Sequence, residues 1–168
     1  MNPLQWSFRT RFLLGFLACA GLIGYALILQ EYEGLIPCDF CIMQRIAFAA
    51  VGTVMLAGGV HAPKSLAMRR TYGVLAMLAA VVGGMIAGRH VWVQLYPPEI
   101  SNCGAGMGFV AEMQGWPGAI RKVLTAGGDC SNIDWTFLGL TMPMWSLIWF
   151  ALLGAWALLA AFGKARAR

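Results

Sequence analysis

Cys38 and Cys41 stand three positions apart in Pro37-Cys38-Asp39-Phe40-Cys41-Ile42-Met43-Gln44-Arg45, with a guanidinium four residues after the second thiol. Such a pair can hold a metal, staple a loop or exchange electrons through a disulfide. As a staple it is poor, since closing so short a loop removes little chain entropy. Zinc motifs from four thiolates usually bring two close pairs, and here only Cys38 and Cys41 are close, so no metal site is expected. A Cys-x-x-Cys at a helix N-terminus favours redox exchange. Asp39 is read as the N-cap, which puts Cys41 in the first turn. The unpaired N–H groups there should stabilise its thiolate and lower its pKa. Arg45 follows one turn later on the same face. A thiolate and a guanidinium aimed at one spot suit a two-electron acceptor whose reduced form carries oxyanion charge. Arg45 also has a plainer reading as an interfacial anchor, and spacing alone does not separate the two.

The elements that must position this pair are apolar. The chain has 168 residues, of which 60% are hydrophobic and 11% charged. A soluble domain carries about 25% charged residues. Charge-free runs cover Phe12 to Leu29, Ile46 to Val60, Thr71 to Gly88 and Pro143 to Gly163. A bilayer core needs roughly 20 apolar residues, and Met43 with the stem of Arg45 can lengthen the short second run. The expectation is an all-α membrane protein of one domain, a four-helix bundle with spans at about 12–29, 43–60, 71–90 and 143–163. The connections on the cysteine side then cover about 30–42 and 91–142. A cleaved leader ending near Ala18-Cys19-Ala20 is the competing reading of the N-terminal run. The apolar stretch continues to Leu29, which a cleaved leader does not need.

Eight of the twelve basic residues fall on one side of these spans: Arg9, Arg11, Lys64, Arg69, Arg70, Lys164, Arg166 and Arg168. That side is expected to be cytoplasmic, with both termini on it. All seven acids fall on the other side. The net charge of +5 therefore reflects topology and gives no reason to expect nucleic acid as a partner. Four of the five cysteines lie on the acidic side, in a compartment expected to be oxidising. Cys19 is read as a small buried hydrophobe. Cys103 and Cys130 lie in the long Gly- and Pro-rich connection. As a pure staple they would close about 26 residues, worth roughly 3 kcal/mol. Trp116, Ile120, Val123 and Leu124 recur there at helical spacing, opposite Arg121 and Lys122. A short helix on the membrane surface and an irregular anchored loop both fit. Gly84 and Gly88 form a Gly-x-x-x-Gly pair, read as ordinary membrane packing.

Taken together, Pro37 to Arg45, His90 with Gln94-Leu95-Tyr96-Pro97, Cys103, Gly128-Asp129-Cys130 and Trp135 through Trp145 resemble the bacterial disulfide bond formation protein B family (DsbB). The match runs nearly the whole chain in family order. The resemblance implies a quinone-dependent thiol oxidase of the bacterial inner membrane. It implies ubiquinone or menaquinone as cofactor and a DsbA-type periplasmic thiol oxidase as partner. It further implies that a Cys103–Cys130 disulfide meets the partner, with Cys103 attacked first. Cys130 then attacks Cys38, and Cys41 is released beside the quinone. Arg45 is implied to polarise the quinone and His90 to line the same pocket, though His90 also reads as a helix-end residue at the interface. Asp39, Phe40 and Gln44 identify no subtype. Two alternatives stay open: a related disulfide-generating membrane enzyme with another partner, and a scaffold whose disulfides only fix its loops.

Overall fold

The computed structural model describes residues 6–34, 37–97, 112–118, 133 and 135–163. Cys103, Cys130, residues 119–124 and the basic C-terminal residues 164–168 lie outside them. Three long helices come first: α1 (Phe8–Tyr32), α2 (Asp39–His61) and α3 (Leu66–Leu95). A short helix α4 spans 112–118, with Met113 and Trp116 exposed. A two-stranded hairpin, β1 (Thr136–Phe137) and β2 (Leu140–Thr141), leads directly into α5 (Met142–Phe162).

The four long helices are each long and apolar enough to cross a membrane, so the chain is a four-helix membrane protein. They overrun the charge-free stretches at most ends. Polar and charged residues belong at the membrane interface, where the helix can continue. Several helix ends have a local cause. Ser7 accepts the Thr10 N–H at 3.2 Å and caps α1. α2 ends on Ala62 in the left-handed region, followed by Pro63, which cannot continue a helix. Pro143 sits in the first turn of α5, where its missing N–H costs nothing.

The bundle closes as a ring in which α1 packs on α2, α2 on α3, α3 on α5 and α5 on α1. In lipid the apolar effect does not drive helices together, so close approach through small residues matters more. The core is accordingly rich in alanine: Ala76, Ala80, Ala87, Ala157 and Ala160 are buried between helices. Gly83 lies under the Phe150 ring, and Gly73 against Ala161. A Cβ at either would collide with its neighbour. Gly88 meets nothing within 4 Å and Gly84 only ordinary contacts at 3.9 Å, so the Gly84–Gly88 pair does not set the approach. Phe48 and Phe150 stack at 4.0 Å across the core.

At the basic end, Arg11 is not simply a solvated topology charge. It is 2% exposed and donates to the Trp6 and Leu159 carbonyls, both at 2.9 Å. It thereby satisfies the C-terminal end of α5, where a cation is favoured. Trp156 returns a hydrogen bond to the Arg11 carbonyl at 2.9 Å.

Candidate functional site

The cysteine end of α2 begins one residue earlier than the sequence implied. The N-cap is Cys38, with extended backbone, and its Sγ accepts the Cys41 N–H at 3.3 Å. Asp39 is instead the first helical residue, where a carboxylate complements the helix dipole. This corrects the expected cap and redirects the amide: the first-turn hydrogen bond goes to the Cys38 sulfur. Side chains at the cap and three residues on face each other, as in a capping box. That geometry makes Cys-x-x-Cys work here, and the two sulfurs lie 2.8 Å apart.

The two thiols face different surroundings. Cys41 lines a cavity of ≈ 290 Å³ enclosed by α1, α2, α5 and the hairpin. Cys38 is absent from that lining and turns toward α3. From α2, Cys41, Gln44, Arg45 and Phe48 reach the cavity. Their spacing places them on one helix face. The remaining wall is aromatic and aliphatic, including Trp135, Phe137, Trp145 and Trp149. Arg45 is held at the cavity edge by α1, donating Nη1 to Gln30 Oε1 at 2.6 Å and Nη2 to the Ala26 carbonyl at 3.2 Å. It therefore also clamps α1 to α2, a role that spacing did not reveal.

The hairpin forms the roof. Thr136 pairs with Thr141 and Phe137 with Leu140. Its two-residue turn has positive φ at both Leu138 (53°) and Gly139 (78°), the mirror-image turn that matches strand twist. Trp145 Nε1 donates to the Phe137 carbonyl at 3.1 Å. Trp135 and Phe137 stack at 6.0 Å, and Tyr25 meets Trp135 edge-on at 6.3 Å. Within the hairpin, the buried Thr141 donates its hydroxyl to Gln94 Oε1 at 2.8 Å, tying the roof to α3.

His90 is not among the residues that line the cavity with Arg45. It is 2% exposed on α3, with Nε2 at 3.7 Å from Cys38 Sγ and its ring stacked on Phe40 at 5.3 Å. Its Nδ1 lies 3.0 Å from Gln44 Nε2. An amide NH₂ can only donate, so in this arrangement Nδ1 accepts and the imidazole proton sits on Nε2, facing the sulfur. Gln44 therefore touches both the cavity and His90. The sequence reading gave it no role; its place one turn from Cys41, on the face of Arg45 and Phe48, was the available signal. Trp135, Phe137, Trp145 and Trp149 were likewise assigned no function.

What this end of the bundle can do is hold one sulfur against an apolar, aromatic cavity and the other against an imidazole. Comparison with known proteins agrees with a thiol chemistry. A family model described as "Disulfide bond formation protein DsbB" matches residues 8–160. A protein named disulfide bond formation protein B from Xanthomonas euvesicatoria pv. vesicatoria is 56% identical over 167 residues, covering 99% of this chain and 96% of that one. One of the same name from Xanthomonas axonopodis pv. citri is 56% identical over 163 residues, covering 96% and 95%. Another from Xylella fastidiosa strain 9a5c is 51% identical over 167 residues, covering 99% and 96%.

Proposed function

We propose a function from one premise: the chain belongs to the disulfide bond formation protein DsbB family. As a member it is a disulfide-forming oxidoreductase in a multi-pass membrane protein. The finer reading is that it oxidises the dithiol of a DsbA-type periplasmic partner and delivers two electrons to ubiquinone or menaquinone in the bacterial inner membrane. The observation that carries this reading is the placement of Cys41 and Arg45 on the wall of one aromatic cavity, with Cys38 outside it.

The residues present fit a quinone headgroup. The cavity of ≈ 290 Å³ is close to the size of small-ligand sites, and flat indole and phenyl walls suit a planar ring. A quinone held there supplies a two-electron acceptor. Arg45, fixed by Gln30 and the Ala26 carbonyl, keeps a permanent cation at the wall where negative charge develops on reduction. Trp135 and Phe137 add aromatic surface to the wall that carries Cys41.

The thiol steps follow from position. A thiolate attacks a disulfide sulfur in line with the departing one. In the proposed relay the partner thiolate opens Cys103–Cys130, and the freed Cys130 thiolate attacks Cys38. Cys41 then leaves as a thiolate facing the cavity. The partner's second thiolate closes the partner disulfide and frees Cys103, which attacks Cys130, restores Cys103–Cys130 and releases Cys38. The reduced Cys38–Cys41 pair then re-forms its own disulfide and gives up two electrons and two protons. Direction of attack thus rests on which sulfur faces the acceptor. It does not rest on the helix amides serving Cys41, since that hydrogen bond goes to Cys38.

The test is quinone reduction in membranes driven by a reduced dithiol partner. Wild type should turn over and Cys41→Ser should not. Quinone reduction at the wild-type rate in Cys41→Ser would leave the disulfides as scaffold staples. The partner is identified by capture: in Cys130→Ala the free Cys103 thiolate should attack the disulfide of an oxidised DsbA-type protein and hold it as a mixed disulfide. Recovery of a different thioredoxin-like protein would favour a dedicated partner instead.

A further inference from the structure

We propose that the reduced Cys38–Cys41 pair and His90 form a binding site for Zn²⁺, and that the bound ion withholds both thiols from exchange. The Sγ atoms of Cys38 and Cys41 and a ring nitrogen of His90 all lie within 4.8 Å of one another. Tetrahedral zinc with ordinary Zn–S and Zn–N bonds has sulfur–nitrogen edges of roughly 3.6 Å and a sulfur–sulfur edge of roughly 3.8 Å. The Cys38 Sγ to His90 Nε2 distance of 3.7 Å is already that edge. The sulfurs stand 2.8 Å apart and need to part by about 1 Å, a small side-chain rotation for a cap residue and its first-turn neighbour.

The imidazole is prepared in the way metal-bound histidines are. Such a ring makes an outer hydrogen bond through its second nitrogen, which fixes its orientation. Here Gln44 occupies that nitrogen at 3.0 Å, and both side chains are buried. Stacking on Phe40 fixes the ring plane. With zinc on Nε2 the imidazole proton moves to Nδ1, and the Gln44 amide turns to accept it through Oε1, since Gln carries both donor and acceptor. Each thiol gives its proton to solvent and its sulfur to the metal. No electron moves. A disulfide has no thiolate to offer, so the oxidised pair does not bind, and the site exists in one redox state only.

Sequence spacing argued against zinc because it sought two close cysteine pairs. The third ligand comes from another helix, 52 residues away. Among the described residues three ligands come together, the number that open zinc sites use. The blocking of turnover rests on the proposed thiol relay, whereas ion binding does not.

The experiment uses the full chain in detergent with Cys103→Ala and Cys130→Ala, so the long connection supplies no sulfur. It is reduced with a phosphine without air and titrated with Co²⁺ alone. One Co²⁺ per chain should bind with the intense visible bands of tetrahedral thiolate coordination, and Zn²⁺ should bleach them. The same chain oxidised at Cys38–Cys41 should give no such bands, a comparison that needs no change at the site. His90→Ala and His90→Asn should each weaken binding by tenfold or more, and Gln44→Ala by roughly 10-fold, the range for outer hydrogen bonds. Absence of the bands in the reduced chain overturns the proposal. So does binding that both His90 variants leave unchanged. Metal-free quinone reduction by the intact protein is read separately, so failure of either reading is distinguishable from failure of the other.

Discussion

Cys38 and Cys41 are adjacent sulfurs in different worlds. One caps a helix and faces His90, and the other faces a cavity walled by indoles. Arg45 carries two roles at that wall, and they can be split. Arg45→Lys keeps a charge but loses the planar fork that reaches both Gln30 and the Ala26 carbonyl. We expect the apparent quinone KM to rise about tenfold, a loss of roughly 1.4 kcal/mol of binding, while thiol titration shows the Cys38–Cys41 pair intact. An unchanged KM would reduce Arg45 to a clamp between α1 and α2. At this scale the sequence was legible wherever the reacting groups share one helix. The Cys-x-x-Cys pair and Arg45 could be placed from spacing because one backbone carries them. The cap was misplaced by one residue because two good cap candidates, Cys38 and Asp39, are neighbours and only geometry chooses between them. The Cys38–His90 and Gln44–His90 contacts cross between helices, and no local pattern encodes them.

The elements succeed for different reasons. Four helices were readable because lipid leaves the backbone no other partner, so long charge-free runs must be helical. The hairpin was not readable. Its strands are two residues long, and its turn uses Leu138-Gly139 without the Asn-Gly or Asp-Gly signal of such turns. Gly139→Ala should strain that turn by about 1 kcal/mol or more, since an L residue pays this in the left-handed region. The roof of the cavity should loosen with it, read as weaker quinone protection of the Trp135 and Trp145 fluorescence. Unaltered protection would mean the hairpin does not depend on this turn. Helix packing gives a paired test. Gly83→Ala forces a Cβ into the Phe150 ring, and overpacking of this kind costs about 1–3 kcal/mol. Gly88→Ala enters open space and should gain up to about 1 kcal/mol in helix propensity. Thermal unfolding in detergent should therefore separate the two variants in opposite directions. Equal Tm values would contradict the α3–α5 interface described above.

For the whole molecule, the charge asymmetry and the site sit at opposite ends of the bundle. Lys64, Arg69 and Arg70 flank the α2–α3 connection, and Cys38 and Cys41 lie at the far end of α2. We expect a membrane-impermeant thiol reagent to reach reduced Cys38 in intact spheroplasts from the periplasmic side, and a cysteine placed at Lys64 to react only after lysis. Labelling of both from one side would break the expected topology. The central claim is narrower: Cys41 alone of the two thiols hands its electrons into the aromatic cavity. The most direct measurement is a single turnover. The chain lacking Cys103 and Cys130 is reduced, freed of reductant and mixed with a short-chain ubiquinone, and quinone absorbance is followed. The account predicts loss of one equivalent of quinone per chain with formation of the Cys38–Cys41 disulfide, and no loss in Cys41→Ser. Retention of quinone by the reduced chain, or its equal loss in Cys41→Ser, would contradict it.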